Sequence, residues 1–305
     1  MATPVMAQSD PGPMFLPFRE EQMLELSASV FRTETGHIKK SDEGFGLSQY
    51  QSQGRLRLTD KFKVNPTLGY DMMLLDLKTS NTTVPRNLSD VSIGFATPFH
   101  QFETGWYLAG SIGAGYAGDE TFDYKGGYYG KTTFILGKEF DRNNSLLVAL
   151  SYDGNRTIYP DVPLPAIVYT KVIDPTLELG LGIPFSTVRY RPVDRWLFEA
   201  TISIGDISGR VHYDITDQVR IFAAAESIER AFRIEELDGN DRLLFEQRRA
   251  ELGVVISPSR YVGITAAVGY AFSQEFGVGF DARETDLLYK FSDEAYARIG
   301  LVWKP

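Results

Sequence analysis

Catalysis needs acids, bases or nucleophiles held in place, and this chain offers few. It has three histidines, His37, His100 and His212, and no cysteine. The missing cysteines exclude disulfides, zinc–thiolate sites and thiol nucleophiles together, and they suit a chain that crosses an oxidising compartment unfolded. His37 falls in a polar stretch read as a loop, and His100 in a turn. His212 belongs to a polar row with Arg210 and Asp214, one face of an alternating segment. A hydrolase would set such a histidine against a carboxylate and a serine on neighbouring strands near one rim. A spacing of two along a strand is ordinary alternation, so His212 reads as a solvated interior histidine. The chain is therefore read as a non-enzyme, with no catalytic residue, metal or cofactor assigned.

Two other patterns invite chemistry. Gly110-Ser111-Ile112-Gly113-Ala114-Gly115 has the glycine density of a phosphate loop. It lies inside a strand pattern with no helix after it, so that reading fails its context; small interior residues or a close packing contact explain it. Glu34, Asp42, Glu43, Asp119, Glu120 and Asp123 gather in two charged stretches. They could hold calcium or be bridged to lipopolysaccharide phosphates, and they are read first as solvated loop carboxylates.

The charges on the less apolar rows are more informative. The phase of the alternation turns Arg55, Arg57, Asp71, Glu178, Arg189, Glu199, Arg210, Arg220, Glu226, Arg249, Glu251 and Arg298 to one side of the sheet. A charge on a lipid-facing row costs about 2–4 kcal/mol at the midplane, which argues that this side is the interior. Arginines facing carboxylates across a water-filled constriction create a transverse field that sorts solutes by charge. The alternative is that they pair locally and fill the lumen.

The elements that must carry these rows are strands. The chain has 305 residues, 43% hydrophobic and 13% aromatic, with 28 glycines. Its net charge of −9 and pI of about 5.0 give no footprint for nucleic acid. The mean hydropathy is −0.18, and no run approaches the roughly 18 apolar residues of a spanning helix. From about residue 22 onward the period is two. Leu24, Leu26, Ala28 and Val30 share a face, as do Leu68, Tyr70, Met72 and Leu74 after Val64 and Pro66. Trp196, Phe198, Ala200, Ile202 and Ile204 do the same, as do Ile264, Ala266, Val268, Tyr270 and Phe272. Short polar turns (Thr59-Asp60, 141–144, 192–195, Thr216-Asp217, 257–259) alternate with longer charged stretches (33–43, 78–88, 118–127, 154–165, 234–241, 274–294). That asymmetry, with aromatics such as Tyr50, Tyr70, Trp106, Tyr116, Tyr190, Trp196, Tyr261, Tyr270 and Trp303 near segment ends, is the pattern of an outer-membrane barrel. A soluble sandwich or lipocalin-like barrel would show strongly charged outer rows; here the non-apolar rows are mostly Ser, Thr, Gly and Asn.

The expected fold is thus all-β: a transmembrane antiparallel up-and-down barrel of about fourteen strands, within roughly twelve to sixteen. The segments are 22–32, 44–58, 61–77, 89–98, 104–117, 128–140, 145–153, 175–191, 196–205, 208–215, 218–232, 243–256, 260–273 and 295–303, with 281–291 as a further candidate. Pro163, Pro165, Pro175 and Pro184 interrupt the pattern between 163 and 191. Residues 1–21 read as a signal-peptide stub, ending at Val5-Met6-Ala7, plus a periplasmic leader tail; 22–305 form one domain.

Pro160-Asp161-Val162-Pro163-Leu164-Pro165, Gly182-Ile183-Pro184-Phe185 and Tyr190-Arg191-Pro192 resemble an uncharacterised, porin-like family of Gram-negative outer-membrane barrels. The end, Gly300-Leu301-Val302-Trp303, is similar to the terminal strand signal read by the barrel-assembly machinery, departing from it in closing on Lys304-Pro305. The resemblance implies the bacterial outer membrane, with lipid, lipopolysaccharide and that machinery as partners and homo-oligomerisation open. The expected function is a passive channel for small hydrophilic solutes; the alternative is a closed structural or partner-binding barrel.

Overall fold

A segment with one apolar and one polar row must turn the apolar row to a core or to lipid. The computed structural model describes residues 23–305 apart from 40, 42, 60–64, 82, 83, 120, 121, 204, 205 and 238. Its segments form one antiparallel sheet of eighteen strands. They are β1 (Leu24–Thr33), β2 (Gly36–His37), β3 (Gly44–Arg57), β4 (Thr67–Thr79), β5 (Asn87–Gln101) and β6 (Trp106–Gly118), then β7 (Tyr128–Glu139), β8 (Asn144–Asp153), β9 (Leu164–Asp174), β10 (Leu177–Ile183), β11 (Ser186–Tyr190) and β12 (Trp196–Ile202). The last six are β13 (Ile207–Asp214), β14 (Val219–Phe232), β15 (Arg242–Ser259), β16 (Val262–Gly279), β17 (Asp286–Lys290) and β18 (Glu294–Trp303). Because β1 pairs with both β3 and β18, the sheet closes on itself. β2 prolongs β1 along β3, and β17 leads into β18 along β16, so the eighteen segments make a wall of sixteen strands.

Sixteen strands exceed the fourteen expected from sequence, and prolines account for the difference. The span 164–174 is β9, which the proline-rich pattern concealed. Pro165 is its second residue, opposite Leu150, near a strand start where a missing N–H is tolerated. The single segment expected over 175–191 is two strands, β10 and β11, turned at Pro184-Phe185. The segment expected from 61 begins at Thr67, with 60–64 outside the described residues, and 281–291 contributes the short β17. The leader 1–21 also lies outside them.

The outer rows are apolar and bare. Ile93, Ile112, Leu252, Val268 and Ile299 are each 64–68% exposed, and Leu68, Leu108, Ile202 and Ile264 also face out. A soluble monomer does not display such a continuous belt; hydrocarbon accepts it. No helix among the described residues is long and apolar enough to cross a membrane, and a closed sheet satisfies every backbone group without water. Trp106, Tyr190, Trp196, Tyr261 and Trp303 lie beside the short connections at one end. Tyr116 does not join a girdle: it is buried against Phe122 and Tyr128.

The interior changes character along the barrel. Towards the longer loops the inward rows turn apolar: Phe31, Phe45, Leu47, Met73, Leu75, Leu77, Ile228, Phe232, Phe245, Phe276 and Phe291 form one buried core. Phe45 and Phe291 stack at 3.7 Å, and Phe276 meets Phe291 edge-on at 5.6 Å. Here the wall pinches inward. The N–H of Arg233, just past β14, donates to the carbonyl of Ala117 on β6 at 3.1 Å. The pinch passes over β10–β13, which are only 5–8 residues long. Towards the short turns the inward rows stay polar.

Candidate functional site

Below the apolar core lies a cavity of about 450 Å³ between β1, β3, β4 and β18 on one wall and β13–β16 on the other. A volume of this size is typical of a small-molecule site. Ser27, Ser29, Gln51 and Gln53 line it from one wall and Arg210, His212 and Arg220 from the other. Ser257, Arg260, Tyr261 and Lys304 line its turn-side end, and Met73 belongs both to its lining and to the core above.

Six of the twelve residues singled out from sequence line this cavity: Asp71, Arg210, Arg220, Glu226, Arg249 and Arg298. Arg55, Arg57, Glu178, Arg189, Glu199 and Glu251 sit on the same polar rows without lining it. Most are tied in ion pairs. Arg249 pairs with Glu226 and Arg298 with Glu251, and in both pairs the carboxylate is almost fully buried. Tyr296 also donates its hydroxyl to Glu251 at 3.0 Å. Arg220 pairs with Asp214, which Arg191 approaches at 3.4 Å. Arg55 binds Glu25 at 2.6 Å, and Lys304 reaches the same carboxylate at 3.2 Å. Arg57 is buried. Cross-strand register sets most of these pairs, because facing positions of neighbouring strands stand close enough to pair: Glu178 lies opposite Arg189, Arg189 opposite Glu199, and Glu226 opposite Arg249. Arg298 instead reaches Glu251 over β16, where Gly269 faces Glu251.

Sequence reasoning missed a second polar group. Asp90 accepts from the Tyr129 hydroxyl at 2.6 Å and stands 4.0 Å from Arg230 on β14; Lys131 stands 3.4 Å from Asp153. These residues tie β5, β7 and β8 to β14 across the lumen, beside the pinch. Gly115, part of the glycine-rich stretch, makes room for this: a Cβ there would sit 2.3 Å from the Tyr129 ring. The signal available in the sequence was Asp90, the one carboxylate of β5, and Lys131 on β7, both on inward phases. Above them, Gln247 donates to Gln274 at 2.9 Å in full burial.

His212 has the cross-strand carboxylate that a catalytic histidine would need: its Nε2 lies 3.1 Å from Glu199. No hydroxyl bonds to His212 among the described residues, and its buried Nδ1 has no partner there, so the pair lacks a nucleophile. His37 is on β2 and not in a loop, its N–H donating to Ser292 Oγ at 2.8 Å, and His100 is on β5. Among the described residues no three His, Asp or Glu converge to hold a metal ion; Asp42 and Glu120 lie outside them.

Over the loop-side mouth, residues 154–163 reach across to β14–β17. Asn155 donates to Ala231 O at 2.9 Å, Asp161 pairs with Arg242 at 3.0 Å, and the N–H of Tyr159 donates to Asp281 at 3.2 Å. Arg283 binds Asp281 at 2.6 Å while lying 3.8 Å from the Tyr159 ring centroid.

A closed sixteen-stranded barrel with an apolar outer belt and a charged interior is a transmembrane barrel of the bacterial outer membrane. No family model and no curated protein matches the chain. Solved structures resemble it distantly. An outer-membrane channel of Pseudomonas putida is 10% identical, with a TM-score of 0.40 over 98% of this chain and 100% of that one. A FadL homologue of Pseudomonas aeruginosa is 11% identical, with a TM-score of 0.42 over 96% and 92%. The NanC porin is 10% identical, with a TM-score of 0.32 over 92% and 100%. Likeness at this level carries no solute across, and the functional reading rests on this chain's own side chains.

Proposed function

We propose that the protein is a passive outer-membrane channel for small hydrophilic solutes, with no chemical step, and that the charged chamber is its selective segment. The observation that carries this reading is the cavity of about 450 Å³ bounded by cations and carboxylates on facing walls. Arg210 and Arg220 stand on one wall and Asp71 on the other, which produces a field across the lumen. The apolar core on the loop side is then the gate, since polar solutes cross a hydrophobic constriction only when it wets. A second reading, a closed structural or partner-binding barrel, draws on that same core, which fills the loop-side lumen with large side chains.

Single-channel conductance in a planar bilayer separates the two, comparing the wild type with Phe276→Ala plus Phe291→Ala. A gated channel gives small, infrequent openings in the wild type and larger or longer ones in the double variant. Silence in both proteins, with folding verified, would establish the closed barrel.

A further inference from the structure

Burying an arginine in a barrel demands an acceptor. An unpaired buried cation loses its hydration without recompense, and its five N–H donors need partners. The inward arginines mostly meet this demand within the protein: Arg55 with Glu25, Arg189 with Glu199, Arg220 with Asp214, Arg249 with Glu226 and Arg298 with Glu251. Arg210 does not. Among the described residues it makes no ion pair and no hydrogen bond, and it lines the cavity.

Its neighbours explain why no carboxylate of the wall serves it. Across the ladders Arg210 faces Glu199 on β12 and Ala224 on β14. Glu199 is engaged by His212 at 3.1 Å and Arg189 at 3.5 Å. Glu226, one inward position further along β14, is taken by Arg249. Meanwhile Arg210 Cζ lies 5.0 Å from the Phe222 ring centroid, a cation–π contact that holds the group without using up its N–H donors. Those donors form the fork that binds a carboxylate through two parallel hydrogen bonds.

We propose that Arg210 is a binding site for the carboxylate of a small, singly charged organic acid inside the chamber. This rests on the chamber being solvent-accessible, as the channel reading requires, but not on transport through the loop side. Asp71 on the far wall disfavours a second negative charge on the same solute. The neighbouring pairs, Arg220–Asp214 and Arg249–Glu226, are closed on themselves and leave Arg210 as the free positive end.

The ¹⁹F line width of trifluoroacetate tests this with the full chain in detergent. The wild type should broaden the line, and excess acetate should restore it. Arg210→Gln should weaken binding at least about tenfold, equivalent to about 1.4 kcal/mol. Arg210→Lys, which keeps the charge and loses the fork, should fall between. Folding of each variant is checked by its mobility shift on boiling in detergent. Undiminished broadening with a folded Arg210→Gln, or none with the wild type, overturns the proposal. Conductance is read separately: a protein that binds without conducting loses the channel reading and keeps the site. One that conducts while Arg210→Gln binds as well as wild type keeps the channel and loses the site.

Discussion

The free guanidinium of Arg210 makes the neighbouring ion pair asymmetric. Arg249 and Glu226 are both almost fully buried, 3% and 5% exposed at the side chain, and breaking such a pair by deleting one partner costs about 3–5 kcal/mol. The two deletions nevertheless leave different orphans. Glu226→Met strands Arg249, whose nearest alternative, Glu251, is already held by Arg298 and Tyr296; the full cost, about 3–5 kcal/mol, is expected. Arg249→Met strands Glu226, but Arg210 lies on the adjoining strand one inward position away, Ser208 facing Glu226 and Arg210 facing Ala224. Recapture by Arg210 restores a charge-assisted hydrogen bond of roughly 1.5–3 kcal/mol. Arg249→Met should therefore cost only about 1–3 kcal/mol, and adding Arg210→Gln should return its cost to the level of Glu226→Met. Urea unfolding of the barrel in lipid, followed by tryptophan fluorescence, reads all three differences. Equal losses in the two single variants, or additivity of Arg249→Met with Arg210→Gln, would show that Arg210 cannot reach Glu226 and refute the reasoning.

Other expectations are simpler. Val268→Arg puts a cation on the lipid-facing row of β16, where the side chain is 64% exposed, and should cost about 2–4 kcal/mol of stability in a bilayer; no loss would mean the row does not face hydrocarbon. Gly269→Ala would place a Cβ 2.3 Å from Ala250 O and 2.6 Å from the Tyr296 ring, so strand β16 must shift, at about 1–3 kcal/mol; an unchanged unfolding midpoint would contradict the packing. Burial raises the Asp281 carboxyl, but hydrogen bonds from Arg283 and the Tyr159 N–H outweigh it and hold the group below the usual carboxylate range. A depressed folded pKa gives stability that is complete above the unfolded value and lost as pH falls through the folded one. Protease nicking of loop 154–163 should thus stay flat from about pH 8 to 5 and rise only below about pH 4; a rise near pH 6 would implicate another group.

The rows were legible because lipid and lumen impose a period of two wherever a strand crosses hydrocarbon. Leu68, Ile202 and Val268 show their outward phase without any tertiary information. What alternation could not display was a lumen that is itself apolar. Met72-Met73-Leu74-Leu75 and Leu243-Leu244-Phe245 are continuous apolar runs, and such runs mark strands buried on both faces, here lipid outside and core inside. Proline hid β9 and the β10–β11 turn, since its effect depends on whether the N–H it lacks falls near a strand end. The charge pairs were out of reach for a different reason. Which carboxylate an arginine meets depends on register between strands, and Glu226 and Arg249 are 23 residues apart. The free state of Arg210 is a property of all its neighbours at once.

The uneven wall has a mechanical consequence for the surrounding bilayer. At about 3.3 Å per residue, the five residues of β11 extend only about 16 Å, less than the ~25 Å apolar band of an outer-membrane barrel. The eighteen residues of β15 and of β16 run about 60 Å by the same measure. Lipid beside β10–β13 must thin, or the whole cylinder must lean, to match both sides at once. The elastic cost falls on one sector of the circumference and gives the protein a preferred azimuth: thin membrane, or a neighbour with an equally short flank, gathers at β10–β13.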